Sequence, residues 1–145
     1  MSAFLGNRKV EVVIDEGTPL VHVDGTLVEC ALVNLLENAA KFAPHATPIH
    51  IRARPAGDTV LVEVADRGPG VPVAERQRVF ERFHQGAAAR ASSHGGTGLG
   101  LSICRAVATS HGGTCWVEDR EGGGARFIIA LPRAEEPPRD SLEED

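Results

Sequence analysis

The segment between Asp24 and Pro44 limits the possible folds more than any other part of the chain. Asp24 offers an N-cap and Pro44 cannot continue a helix, so the pattern predicts a helix running to about Ala43. Val28, Leu32, Leu35, Ala39 and Phe42 step by four, three, four and three residues. At about 100° per residue they share one side, and that side must be covered. Asn34, Asn38 and Lys41 form a second stripe, about 110° from the first. The helix therefore needs a sheet on one side and has polar groups to offer on another.

The remaining sequence supplies that sheet. Residues 9–14 alternate Val with charged residues and read as a strand with one wet face. Glu16-Gly17-Thr18-Pro19 is a turn, and residues 20–23 read as a second short strand. Residues 49–54 and 59–65 read as strands joined in a hairpin at Pro55-Ala56-Gly57-Asp58. Asp66-Arg67-Gly68-Pro69-Gly70-Val71-Pro72 must be a loop, and residues 73–83 a short helix or helical turn. Residues 86–98 are rich in Gly, Ala and Ser and have little to bury, which predicts a mobile lid. A second helix is expected from about 99 to 110, ended by Gly112-Gly113. Strands at 114–118 and 125–131 follow, joined across Gly122-Gly123-Gly124. This order predicts an α/β two-layer sandwich, a mixed sheet with helices packed on one face. Residues 1–132 are expected to form one domain. Residues 133–145 are acidic, Pro-bearing and nearly without apolar side chains, and read as a disordered tail.

Composition narrows the ligand. A chain of 145 residues can bury one core and hold one cleft of nucleotide size. Its net charge of −5 and the lack of a dense Lys/Arg cluster argue against nucleic acid. Lys occurs only at Lys9 and Lys41, which singles out the second. Cys30, Cys104 and Cys115 are widely spaced and odd in number, so they read as reduced, buried thiols in a cytosolic setting. No apolar run approaches the ~18 residues of a membrane span, the N-terminus does not read as a signal peptide, and the chain is expected to be soluble.

The second stripe carries chemistry. Charged residues on an open helix face are usually only solvated, but Asn is a mediocre helix former that gains little there. Two Asn one turn apart with Lys three residues on place neutral oxygen ligands beside a cation, a set that suits hydrated Mg²⁺ and the phosphates it bridges. Gly96-Thr97-Gly98-Leu99-Gly100-Leu101 leads into a helix N-terminus, where free N–H groups can hold phosphate oxygens; a plain hinge would also use these glycines. The chain has no Gly-Lys-Ser/Thr, and Ile103 stands where a dinucleotide fingerprint needs its third Gly. Asp66 begins Asp-x-Gly-x-Gly at the end of an apolar strand. Its carboxylate could accept from an exocyclic amine while the glycines admit a flat ring, or it could simply cap a turn.

In order, the chain contains Asn34-Leu-Leu-Glu-Asn38-Ala-Ala-Lys41-Phe42, Asp66-Arg-Gly68-Pro-Gly70, Val79-Phe80-Glu-Arg-Phe83 and Gly96-Thr-Gly98-Leu-Gly100-Leu-Ser-Ile. This series resembles the N, G1, F and G2 boxes of bacterial sensor histidine kinases, part of a wider ATPase superfamily that includes gyrase. The resemblance covers about residues 20–132, and four boxes in this order are specific where each alone is weak. It implies ATP and Mg²⁺ as cofactors, with Asn38 as metal ligand and, with Lys41, catalytic. Asn34, Lys41 and Phe42 would neighbour the phosphates and ribose. Asp66 would read the adenine amino group beside Gly68 and Gly70. Phe80 and Phe83 would anchor the lid, and Gly96, Thr97, Gly98, Leu99 and Gly100 would line the phosphates. Leu-Leu-Glu-Asn-Ala and Gly-Leu-Ser-Ile-Cys-Arg-Ala look closest to potassium-responsive kinases of the Kdp type.

The resemblance further implies partners: a separate dimerisation and phosphoacceptor domain, then a response regulator. The isolated domain is expected to be monomeric, and the parent protein a membrane-bound sensor with this domain in the cytoplasm. Two departures stand out. Ala125 sits where many relatives carry Ser or Thr near the adenine. None of the six histidines begins the family's phosphoacceptor helix segment. Two other functions stay open from sequence. An ATP hydrolase of the superfamily places a water-activating Glu where this chain has Asn34, and Glu37 is badly placed to replace it. A nucleotide-binding regulatory module without catalysis would use the same residues. An anti-sigma-type kinase is disfavoured by the two-Phe box and the Gly-Leu-Gly-Leu-Ser run.

Overall fold

A computed structural model describes residues 9–19, 21–44, 47–81 and 100–134. The expected lid at 86–98, Phe83, Leu20 and residues 135–145 of the expected tail lie outside these described residues.

The first predicted strand is β1, Val10–Ile14, and the predicted hairpin is β2, Ile49–Ala56, with β3, Thr59–Asp66. Gly57 makes the tight turn between them at φ +60°. Pro55 is tolerated inside β2 because β1 pairs only as far as Ala53, which leaves the proline's outer edge without a ladder to break. The last two strands are β4, Thr114–Asp119, and β5, Ala125–Pro132. The sheet runs β1-β2-β3-β5-β4, with β1 and β2 parallel and every other pair antiparallel. It is the mixed sheet that the sequence predicts.

Two helices cover one face. α1 spans Gly25–Phe42, and Asp24 caps it, its Oδ1 accepting from the Leu27 N–H at 3.1 Å. α2 spans Gly100–Ser110. The helices run antiparallel: Cys104 Sγ lies 3.3 Å from the Ala31 carbonyl, and His111 Nε2 accepts from the Asp24 N–H at 2.9 Å. Period 2 along the strands sends Val62, Val64, Phe127, Ile129 and Leu131 toward these helices. The opposite face carries a small cluster of Leu61, Ile128 and Ala130 beside Trp116, and Arg126 bridges Glu118 and Glu63 at 2.6 and 3.4 Å. The segment expected to be helical at 73–83 forms two 3-10 turns, Val73–Glu75 and Arg78–Phe80.

Several expectations need correction. The buried residues of α1 are Ala31, Leu35, Leu36 and Ala39, an arc wider than the single stripe read from spacing. The helix packs against both the sheet and α2, so two partners bury two overlapping sides; each leucine contributes about 1.5–3 kcal/mol by that burial. Among the described residues, the short strand expected at 20–23 is only one antiparallel bridge, Val21 to Arg133, because no neighbouring strand extends far enough to pair more of it. Arg133, expected to begin the tail, is therefore still held, and its N–H also donates to the Asp58 carbonyl at 3.0 Å. Of the three cysteines only Cys104 is buried; Cys115 is half-buried and Cys30 is exposed. Among the described residues no helix is long and apolar enough to cross a membrane.

Candidate functional site

Asn34, Asn38, Lys41, Phe42, Asp66, Gly68, Gly70 and Gly100 lie along one border of the sandwich, on the C-terminal half of α1, at the end of β3 and in the loop after it, and at the start of α2. Asp66 is the last residue of β3 and falls on the helix-facing parity, opposite Ala125 of β5. It is a buried carboxylate, 4% exposed. Its Oδ1 accepts the Gly68 N–H at 2.7 Å, so Asp66 does cap the turn that begins the glycine loop. Capping engages Oδ1 and does not by itself exclude reading a ligand.

Gly68 brings that loop against α1. A Cβ there would lie 3.1 Å from the Phe42 carbonyl oxygen and 3.0 Å from Asp66 Oδ1, which leaves no comfortable room for a side chain. Gly70, at φ +78°, takes a conformation that L-residues rarely adopt and passes close to Gly124. The loop is thus held between the end of α1 and the β4–β5 hairpin.

Asn34, Asn38, Lys41 and Phe42 are all half-buried on α1. Asn34 Nδ2 donates to the Cys30 carbonyl at 2.9 Å, one turn back along the helix. That bond orients the amide, and a Cβ on Gly100 would sit 3.2 Å from Asn34 Oδ1. The Asn stripe and the N-terminus of α2 therefore meet, although they stand far apart in sequence. Lys41 occupies the last turn of α1, where a cation is favoured by the helix dipole.

Among the described residues no group of three or more His, Cys, Asp or Glu could cage a metal. The half-buried amides of Asn34 and Asn38 fit instead a Mg²⁺ that shares few protein ligands and brings water and phosphate oxygens with it.

Phe80 is 2% exposed, packed edge-to-face on Phe127 with ring centroids 6.2 Å apart and with the Arg105 guanidinium 5.4 Å above its ring. It is anchored in the core. An open groove of about 700 Å³ beside it is lined by Ser102, Arg105, Ala106 and Thr109 and shares only Phe80 with the candidate set. Phe83, Gly96, Thr97, Gly98 and Leu99 lie outside the described residues, so only Gly100 represents the second glycine run.

Sequence reasoning passes over two contributors. Arg67 reaches the β4–β5 hairpin, and Gly124 presses against the Asp66 carbonyl, where a Cβ would come within 1.9 Å. The Gly122-Gly123-Gly124 run is the signal that could have found them, since a two-strand turn rarely needs three glycines.

A mixed sheet covered on one face by two antiparallel helices, with a glycine loop at an Asn-bearing helix, is the frame of an ATP-binding domain of the family that most of the chain matches. Residues 23–135 match the family described as histidine kinase-, DNA gyrase B- and HSP90-like ATPase, and the chain belongs to that family. It is 40% identical over 136 residues to the sensor protein KdpD of Escherichia coli K12, covering 94% of this chain and 15% of that protein. It is 41% identical to the sensor-like histidine kinase SenX3 of Mycobacterium tuberculosis H37Rv, covering 87% of this chain and 31% of that one. The solved structure of the mycobacterial sensor histidine kinase MprB matches with a TM-score of 0.76 at 34% identity, covering 88% of this chain and 85% of that one. The fold is that of the catalytic ATP-binding domain of sensor histidine kinases. The relatives include the Kdp-type sensor to which the resemblance pointed, and the chain spans under a third of the length of either curated relative.

Proposed function

We propose that this chain binds ATP with Mg²⁺ and donates the γ-phosphate to a histidine on a separate dimerisation and phosphoacceptor domain, for onward transfer to a response regulator. The observation that carries the reading is the meeting of Asn34 with Gly100, which sets the Asn stripe beside a helix N-terminus able to hold phosphate oxygens. Asp66 reads the adenine amino group, with Gly68 and Gly70 beside the ring. Asn38 ligates Mg²⁺, and Asn34, Lys41 and Phe42 line the phosphates and ribose. The bound cation would neutralise charge on the phosphates; the chain's own work is positioning and electrostatic stabilisation. The isolated domain is a monomer, and in the cell it forms the cytoplasmic part of a membrane-bound sensor.

The chain is a poor phosphoacceptor for itself. His111, for instance, is engaged through Nε2 with the Asp24 N–H and through Nδ1 with the Val107 carbonyl at 2.8 Å. Incubation with radiolabelled ATP should leave it unlabelled and turn ATP over slowly, because Asn34 cannot act as the base that hydrolases use. Adding the helical phosphoacceptor domain in trans should give acid-labile label on that partner, and Asn38→Ala should abolish it. Vigorous turnover without the partner would favour a hydrolase. Silence with the partner would favour a regulatory module.

A further inference from the structure

We infer that Arg67 is a positioning residue for the base-reading carboxylate, and that the glycine-rich tip of the β4–β5 hairpin is the receptor built to hold it. The inference rests on the reading of Asp66 as the group that recognises adenine.

The ladder between β3 and β5 ends at the pair Asp66 and Ala125. Beyond it the backbone leaves the sheet, and the orientation of Asp66 depends on what holds the next residues. Two contacts do so. Arg67 Nη1 donates to the Glu121 carbonyl at 2.7 Å and to the Gly123 carbonyl at 2.9 Å, so one nitrogen spans two oxygens of the hairpin tip. On the near side, Gly124 lies so close that a Cβ would fall 1.9 Å from the Asp66 carbonyl oxygen and 3.0 Å from Arg67 Cα.

The three glycines divide this work. Gly122, at φ +84°, leaves space for the guanidinium; a Cβ there would stand 3.0 Å from Arg67 Nη1. Gly123 and Gly124, at φ +106° and +113°, turn the chain so that a carbonyl faces the arginine and the backbone can touch Asp66. Because both acceptors are main-chain oxygens, the clamp depends on the shape of the tip and on no side chain at 121 or 123. The intraloop bond from Gly68 to Asp66 Oδ1 then sets the carboxylate from the other side. Arg67 itself is exposed and its guanidinium is engaged at the hairpin tip, so its part is to aim Asp66 through the backbone rather than to touch the base.

Calorimetric titration of the whole chain with ATP, GTP and inorganic tripolyphosphate, each with Mg²⁺, tests this. The wild type should prefer ATP over GTP. Arg67→Ala should lower ATP affinity about tenfold, since only part of the free energy of its two hydrogen bonds reaches the ligand through Asp66, and should narrow the ATP/GTP ratio accordingly. Tripolyphosphate binding should not change, since the phosphate-facing groups lie on α1 and α2. Gly122→Ala keeps the arginine but crowds its Nη1, and should reproduce the narrowed ratio; the double variant should be no worse than Arg67→Ala alone. Arg67→Lys, which keeps a donor, should restore part of the ratio. If Arg67→Ala fails to fold, Gly122→Ala and Arg67→Lys decide. Folded variants that keep the wild-type ratio, or that weaken ATP and tripolyphosphate equally, overturn the inference and leave the adenine reading standing. A wild type that binds both nucleotides equally overturns the adenine reading and the inference together.

Discussion

Asp66 and Gly68 are joined by a 2.7 Å hydrogen bond in which the carboxylate Oδ1 accepts the backbone N–H two residues on. The bond makes the acidic residue part of the loop's own architecture, and it separates two effects that a substitution at Asp66 would otherwise confuse.

Asp66→Asn keeps one carbonyl oxygen for Gly68 and exchanges the other oxygen for an NH₂ donor. ATP affinity should fall by about 1.5–3 kcal/mol, the worth of a hydrogen bond to a charged group, with a smaller change in unfolding free energy. Calorimetry and urea denaturation on the same variant give both numbers. A large stability loss with unchanged affinity would make Asp66 a turn cap only.

Gly112 and Gly113 close α2 for different reasons. Gly112 has φ +75° and room around it: the nearest neighbour of a Cβ there, Pro132 Cγ, would be 3.8 Å away. Gly112→Ala should cost about 1–2 kcal/mol, the ordinary penalty for a left-handed L-residue. At Gly113 a Cβ would come within 1.9 Å of the Ala130 carbonyl oxygen, while its N–H donates to the Ala108 carbonyl at 2.8 Å. Gly113→Ala should cost about 3 kcal/mol or more, because α2 and β5 must move apart. Urea midpoints in the reverse order would refute this account.

Cys104 supplies a pH dependence. Burial pushes its thiol up from 9.0 to about 12, with further contributions from Cys115 and Cys30. The folded state therefore keeps the proton after the unfolded state has lost it. Stability from this group is fully present below about pH 9 and lost as pH rises toward 12, at up to about 1.4 kcal/mol per pH unit. Cys104→Ala should flatten that alkaline decline in a series of urea titrations. Thiol alkylation at about pH 8 should reach exposed Cys30 first and Cys104 last; prompt labelling of Cys104 would contradict its burial.

Local pattern made α1 legible down to its cap, since Asp24 and the apolar spacing act within a few residues of each other. It also placed the β2–β3 hairpin, where Gly57 marks the turn, and it drew attention to Asn34, Asn38, Asp66 and Gly100. It failed at Ala31, whose carbonyl lies 3.3 Å from Cys104 Sγ because α2 packs on a second side of the helix, and at Leu36, on the opposite edge of the buried arc. It failed at Cys30 too, because a thiol's burial is set by what packs over it, and nothing in the spacing of three cysteines reports that.

Periodicity, caps and glycine turns are short-range effects, and the amino-acid order alone was enough for what depends on them. The two-layer class, the succession of elements apart from the strand expected at 20–23, and the types of group offered to a nucleotide belong to that part. Which of those groups meet was settled by packing. Gly100 lies against Asn34, Gly68 against Phe42, and Arg67 against carbonyls 54 and 56 residues further along the chain. Such contacts arise when the sheet and helices close on one another. The fit of a missing Cβ against a distant carbonyl is a property of that closure, which no local pattern encodes.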